Sequence, residues 1–167
     1  MQFRWCRFEE LRSDEIYALL ALRQDILVVE QASPYPDLDF LDQTSEHLLV
    51  TTDAGLVAYA RCRGPSAEQN YASFGRVVIA REYRGQGLGR EIVKRILVRL
   101  TEASAADVRI GAQLHLERFY AQFGFARDGE PYDDVGVMHI DMRLRLPQAA
   151  LPNGNLHSVE RATSALK

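Results

Sequence analysis

Apolar and polar positions alternate through Phe3-Arg4-Trp5-Cys6-Arg7-Phe8, the period of a strand with one face against a core. Ser13-Asp14-Glu15 then offers an N-cap and an acidic first turn to Ile16, Leu19, Leu20, Arg23, Ile26 and Leu27, whose spacing predicts a helix. The two prolines of Ser33-Pro34-Tyr35-Pro36-Asp37-Leu38-Asp39 stop any helix and predict a loop. His47 to Thr52 and Leu56 to Cys62 read as strands of an antiparallel hairpin turning at Asp53-Ala54-Gly55, and Phe74 to Ala80 as a further strand. From Leu88, the positions Ile92, Val93, Ile96, Leu97 and Leu100 form one apolar helical face, with Arg90, Glu91, Lys94, Thr101 and Glu102 opposite. Val108 to Ala112 predicts a short strand and Leu114 to Phe123 a short helix ended by Gly124. The stretch from Phe125 to Leu146 predicts a final pair of strands turning near Asp133 to Gly136. The order predicts an α+β fold with one parallel crossover in a domain over 1–146. Residues 147–167 shift to Ala, Pro, Asn, Gly and Ser, and predict a disordered extension or a short helix over Val159 to Leu166.

Composition narrows the class. At 167 residues, 47% hydrophobic and 26% charged, the chain is long enough to bury a core without covalent staples. Its two cysteines, Cys6 and Cys62, are too few for a disulfide framework and lack metal-ligand spacing, so buried thiols and a reducing compartment are expected. No apolar run reaches membrane-spanning length and the N-terminus has no apolar signal core, so the expected location is cytoplasmic, with no membrane partner. A net charge of -3 argues against general nucleic-acid binding, yet Arg81 to Arg99 holds six basic and two acidic residues, locally +4.

That positive charge sits beside the most informative stretch, Arg84-Gly85-Gln86-Gly87-Leu88-Gly89, which lies between a strand and a helix. Glycines at alternate positions let backbone approach a ligand closely, and the helix start offers unpaired N–H groups and partial positive charge, so an anion is expected there. A dinucleotide-binding fingerprint does not fit: Arg90 stands where its last glycine belongs, and the next strand ends in Gly111-Ala112-Gln113 without a ribose-binding acid. A Walker loop is excluded because no Gly-Lys-Ser/Thr follows.

A strand, Arg-x-x-Gly-x-Gly and an amphipathic helix together resemble motif A of the GNAT acetyltransferase superfamily, whose ligand is acetyl-CoA. Leu116-Glu117-Arg118-Phe119-Tyr120-Ala121-Gln122-Phe123-Gly124-Phe125 is similar to a second block of that superfamily, a Phe-Tyr helix closed by Gly-Phe. Further blocks resemble its ElaA-like branch over residues 3 to 145: Val29-Glu30-Gln31 with Pro34 to Asp39, Val57 to Arg61, Gly75-Arg76-Val77, Gly111 to Leu116, and His139 before Met142. The resemblance implies a three-layer fold of acyl-CoA N-acyltransferase type, with a mixed, mostly antiparallel central sheet flanked by helices. It implies that Val77, Val78 and Ile79 pair with the pantetheine arm of acetyl-CoA. Arg84, Gly85, Gln86, Gly87, Leu88, Gly89 and Arg90 would cap its pyrophosphate, with Gln113 also at the cofactor, and no metal is implied.

Acyl transfer to an amine needs a neutral amine, a held thioester and a proton for the departing thiolate. Tyr120 matches the family's general-acid tyrosine, and a phenol near about 10 is close enough to a thiol near about 8.5 to donate. The strand Phe74 to Ala80 carries no carboxylate, so the base must come from elsewhere: Glu30 and His139 are candidates from shared blocks, and His47 and His115 are the remaining imidazoles. Asp37, Asp39 and Asp42 are candidates to attract a cationic amine, or else to pair with Arg61 and Arg76. The expected activity is transfer of an acetyl group to a primary amine of a small molecule or peptide, by direct attack in a ternary complex. The alternative is a non-catalytic CoA-binding regulatory module. Family habit suggests a homodimer.

Overall fold

The computed structural model describes residues 1–66 and 69–147, so the extension expected beyond 147 lies outside the described residues. Its elements follow the chain as β1 (Gln2–Arg7), α1 (Ser13–Arg23), β2 (Glu46–Thr52), β3 (Gly55–Arg63), β4 (Ala72–Ile79), α2 (Leu88–Glu102), β5 (Asp107–Gln113), α3 (Glu117–Ala121), β6 (Ala126–Arg127), β7 (Tyr132–Asp134) and β8 (Val137–Arg145). The strands form one sheet in the order β1-β2-β3-β4-β5-β8-β6, with β7 also paired to β8. All pairings are antiparallel except β4 with β5, the pair that α2 connects. This is the single crossover predicted from the periodicity.

Strand alternation decides the layers. On β3, Ala58 and Ala60 join the core that α2 fills with Ile92, Val93, Ile96 and Leu100, while Tyr59 between them faces the opposite layer with Leu19 and Ile26. The small alanines let α2 approach the sheet, and the larger Tyr59 fills the side covered by α1. Cys6 and Cys62 are free, buried thiols.

Three local features differ from the periodicity. Arg12, not Ser13, occupies the cap of α1, where Glu15 Oε2 accepts the Arg12 N–H at 3.0 Å. The helix also does not end at Leu27 but widens into π-helical turns over Gln24–Glu30, a change that a spacing of three and four cannot announce. The expected last pair of strands is three strands, because Gly129 at φ +143 and Pro131, which has no N–H to donate, interrupt the partner of β8 between β6 and β7.

Candidate active site

The crossover strands part almost as soon as they meet. β4 and β5 pair only at Ala72–Val108 and Ser73–Arg109. Farther along, β5 is held by β8 through Gln113 opposite His139, and β4 by β3. The register of β4 slips by one residue at a bulge, where Arg76 takes a left-handed φ of +54. Between the parted strands lie two cavities, a groove of about 730 Å³ along Val77, Val78 and Ile79 and a smaller one of about 190 Å³ around Gly75, Arg76 and His139.

At the end of β4 the groove runs into the glycine loop. Gly85 and Gly87 have φ of +73 and +83, and nothing lies within 4 Å of where a side chain would start, so backbone conformation rather than crowding requires glycine there. Gly87 caps α2 with no side-chain bond, and the first helical bond runs from the Glu91 N–H to Gly87 O at 3.1 Å. The N–H groups of Leu88, Gly89 and Arg90 therefore have no acceptor within the helix, and their dipoles aim at the groove. A Cβ on Gly89 would sit 3.4 Å from Ile79 Cδ1, so this glycine brings the helix close to the strand. Open space, unpaired donors and an unpaired strand edge fit the diphosphate and amide-bearing arm of an acyl-CoA.

The side chains of the loop behave differently from its backbone. Arg84 turns to Glu30, with Nη1–Oε1 at 2.6 Å and Nη2–Oε2 at 3.0 Å, and donates Nε–H to Ile79 O at 2.8 Å. The Arg84 hydrogen bonds hold the Glu30 carboxyl below the usual carboxylate range. Gln86 folds back to donate to Glu82 O at 2.9 Å and does not line the groove, and Arg90 bonds Gln122.

Tyr120 borders both cavities, as do Gln113, Gln31 and Val77. Its ring packs against Phe119, Phe74 and Phe125 at centroid distances of 5.1, 6.1 and 6.0 Å, while its hydroxyl makes no hydrogen bond among the described residues. Burial pushes its phenol up to about 12, so it stays protonated at neutral pH. His139 lines the smaller cavity, stacked on Tyr132 at 6.1 Å. A carbonyl can only accept, so the 2.8 Å contact with Val137 O puts the proton of the neutral ring on Nδ1 and leaves Nε2 with its lone pair. His115 borders the larger groove. His47 lies outside both cavities, fully buried between Tyr59 Oη at 2.7 Å and Asp42 O at 3.0 Å, and burial lowers its pKa.

The three aspartates form a neutralised network. Arg23, 0% exposed, bonds Asp42 at 2.9 Å and Asp37 at 2.8 Å. Arg61 bonds Asp39 at 2.6 and 2.5 Å and Asp42 at 2.8 Å, and Arg76 Nε approaches Asp37 Oδ1 at 2.7 Å. Of the two readings open for these acids, pairing with arginine is the one present. Arg23 was legible as a member of the apolar stripe of α1, and that misplaced charge was the signal of a buried partner. Gln31, Ser33, Tyr35 and Asp134 also line the smaller cavity, and no motif announced Ser33, Tyr35 or Asp134 as site residues.

Comparison with known proteins agrees with this geometry. Residues 27–146 match the model of the acetyltransferase (GNAT) domain. UPF0039 protein sll0451 of Synechocystis is 44% identical over 156 residues, 92% of this chain and 99% of that protein. The crystal structure of an acyl-CoA N-acyltransferase from Pseudomonas aeruginosa superimposes with a TM-score of 0.81 at 35% identity, over 85% of this chain and 97% of that one. That of Escherichia coli ElaA gives 0.78 at 35% identity with the same coverage. The chain belongs to the GNAT acetyltransferase family and, within it, to the ElaA-like branch. It has the fold of an acyl-CoA-using acyltransferase.

Proposed function

We propose that this protein transfers the acetyl group of acetyl-CoA to a primary amine by direct attack within a ternary complex. The observation that carries the reading is Tyr120, protonated at neutral pH, which borders both the long groove and the small cavity. Acetyl-CoA, when bound, supplies a thioester carbonyl carbon; the C–N bond to the amine forms there and the C–S bond breaks. The N–H groups of Gly85 to Arg90 hold the diphosphate, and the free edge of Val77 to Ile79 aligns the arm by adding a strand. Tyr120 gives its proton to the sulfur that leaves, and the phenol recovers it from solvent.

His139 is the better candidate to take the ammonium proton, because Nε2 has no hydrogen-bond partner among the described residues and the ring lines the smaller cavity together with Tyr120. Glu30 is the weaker one: its carboxylate is committed to Arg84 and its basicity is lowered by that pairing. We assign Glu30 to steadying the loop.

The test is release of CoA thiol across a panel of amines, with acetyl-CoA binding measured in parallel. Tyr120→Phe should bind acetyl-CoA as the parent does and lose about 100-fold or more in kcat. A parent protein that binds acetyl-CoA but turns over no amine would make it the non-catalytic module.

A further inference from the structure

Strained backbone lies on both sides of one contact at the smaller cavity, at Ala32 beside Ser33 and at Val135. Ala32 and Val135 have φ of +49 and +51, a region that residues with a Cβ rarely enter and β-branched ones least of all. Val135 and Gly136, at φ +51 and +83, form the two-residue turn between β7 and β8, with the positive angles of a type I′ hairpin. Such turns favour Asn-Gly or Asp-Gly, and valine at the first place contradicts that preference. Strain of this kind persists only where the surroundings over-determine it, and it gathers at ligand clamps.

Within the turn the Gly136 N–H donates to Asp133 Oδ1 at 3.0 Å, and a second bond crosses the fold. Ser33 Oγ–H donates to Val135 O at 3.0 Å, joining residues 102 apart in sequence. Ser33 is 3% exposed, and its own N–H donates to Val28 O at 3.2 Å at the end of the π-helical segment. Ser33 and Val135 both line the smaller cavity, so the bridge ties its two walls together, the loop after the π-helical turns on one side and the β7–β8 hairpin on the other. An extended polypeptide would have to part this bond to reach Tyr120. A cavity of about 190 Å³ suits a compact molecule, since cavities of about 150 Å³ hold benzene.

The charges on the wall add a sign. Arg76 is answered by Asp37 and Asp39, whereas Asp134 forms no ion pair among the described residues. The cavity's unanswered charge is therefore negative, which favours an acceptor that is cationic in solution, and hence an aliphatic rather than an aromatic amine.

We infer that the acceptor is a small, free, aliphatic primary amine drawn in as its ammonium form past Asp134, and that the Ser33–Val135 bridge excludes the amino groups of polypeptides. This rests on the acetyl-transfer reading above. The test uses the full chain at saturating acetyl-CoA, reading thiol release with n-propylamine, with a pentapeptide bearing a free amino terminus, and with the uncharged 4-methoxyaniline. In the parent, kcat/KM for propylamine should exceed that for the pentapeptide by about 100-fold. Ser33→Ala should raise kcat/KM for the peptide by about tenfold with acetyl-CoA Kd unchanged, whereas Val135→Gly, which keeps the accepting carbonyl and relaxes its turn, should leave the peptide-to-propylamine ratio as in the parent. Ser33→Cys, whose thiol is a much weaker donor, is the second bridge variant and serves if Ser33→Ala disturbs folding. Asp134→Asn should raise KM for propylamine about threefold to tenfold without raising it for the arylamine. A peptide that matches propylamine in the parent, or a ratio unchanged in both bridge variants, overturns the inference while acetyl transfer stands. Binding of acetyl-CoA without thiol release from any acceptor overturns both.

Discussion

Two of the places where arginine meets carboxylate in this molecule have opposite outcomes. Around Arg23, Arg61 and Arg76 the charges are buried and answered by Asp37, Asp39 and Asp42 over distances of 2.5 to 3.2 Å. At the glycine loop, Arg84 and Glu30 pair nearer the surface, while the backbone donors of the adjoining turn are left without internal acceptors. The first arrangement spends every charge on the protein itself and fixes a loop that contains two prolines. The second keeps its strongest donors in reserve. Where polar groups are closed upon one another, stability is the product; where they are left open in a groove, a ligand is the missing term.

The contrast can be broken at its strongest point first. Arg23→Ala leaves Asp37, Asp39 and Asp42 to share Arg61 and Arg76, one arginine short in the interior, and should lower unfolding free energy by about 3–5 kcal/mol, read by urea denaturation. Gly87→Val acts on the other region: a side chain at φ +83 should cost about 1–2 kcal/mol of stability. It should also abolish the roughly 2.7 kcal/mol of stabilisation that acetyl-CoA at about a hundred times its Kd gives the parent, seen as loss of the thermal shift. The smallest effect belongs to Glu30→Gln, which should change stability by less than about 1 kcal/mol because its pair is near the surface.

Acid sharpens the same distinction. Hydrogen bonds from Arg61 hold Asp39 below the usual range; burial alone would raise Asp42, but bonds from Arg61 and Arg23 outweigh it and lower that carboxyl too. Folded pKa values below the unfolded ones mean that the contribution is complete above about pH 4, the unfolded value, and fades as pH falls toward the folded ones. Denaturation midpoints of the parent and of Glu30→Gln should therefore fall together below about pH 4. Separate curves would place the acid-sensitive charge at the glycine loop instead.

Much of this was readable from residue order. The strands and α2 declared themselves by periods of two and 3.6, and the glycine loop by demands that only backbone without a Cβ can meet. Tyr120 was singled out as a candidate through its neighbours in a recognisable block, and it borders both cavities. The rest depends on contacts between distant residues. The apolar stripe hints that Arg23 is buried but not which acids meet it, and nothing local tells that His47 is enclosed by Tyr59 and Asp42 or that Ser33 reaches Val135. The π-helical turns escape notice for a different reason, since one extra residue per turn leaves apolar spacing almost unaltered over seven residues.

The early parting of β4 from β5 has a consequence for solubility. An unpaired strand edge on the outside of a protein invites other chains to add to it and seeds aggregates. Here the free stretch of β4 opens into a groove whose other walls include Ile26 and Glu30 of the π-helical turns, Gly89 of α2, and Phe119 and Tyr120 of α3, rather than onto a bare outer rim. An edge walled in this way is less open to addition by another copy of the chain than one on the outer rim of a sheet.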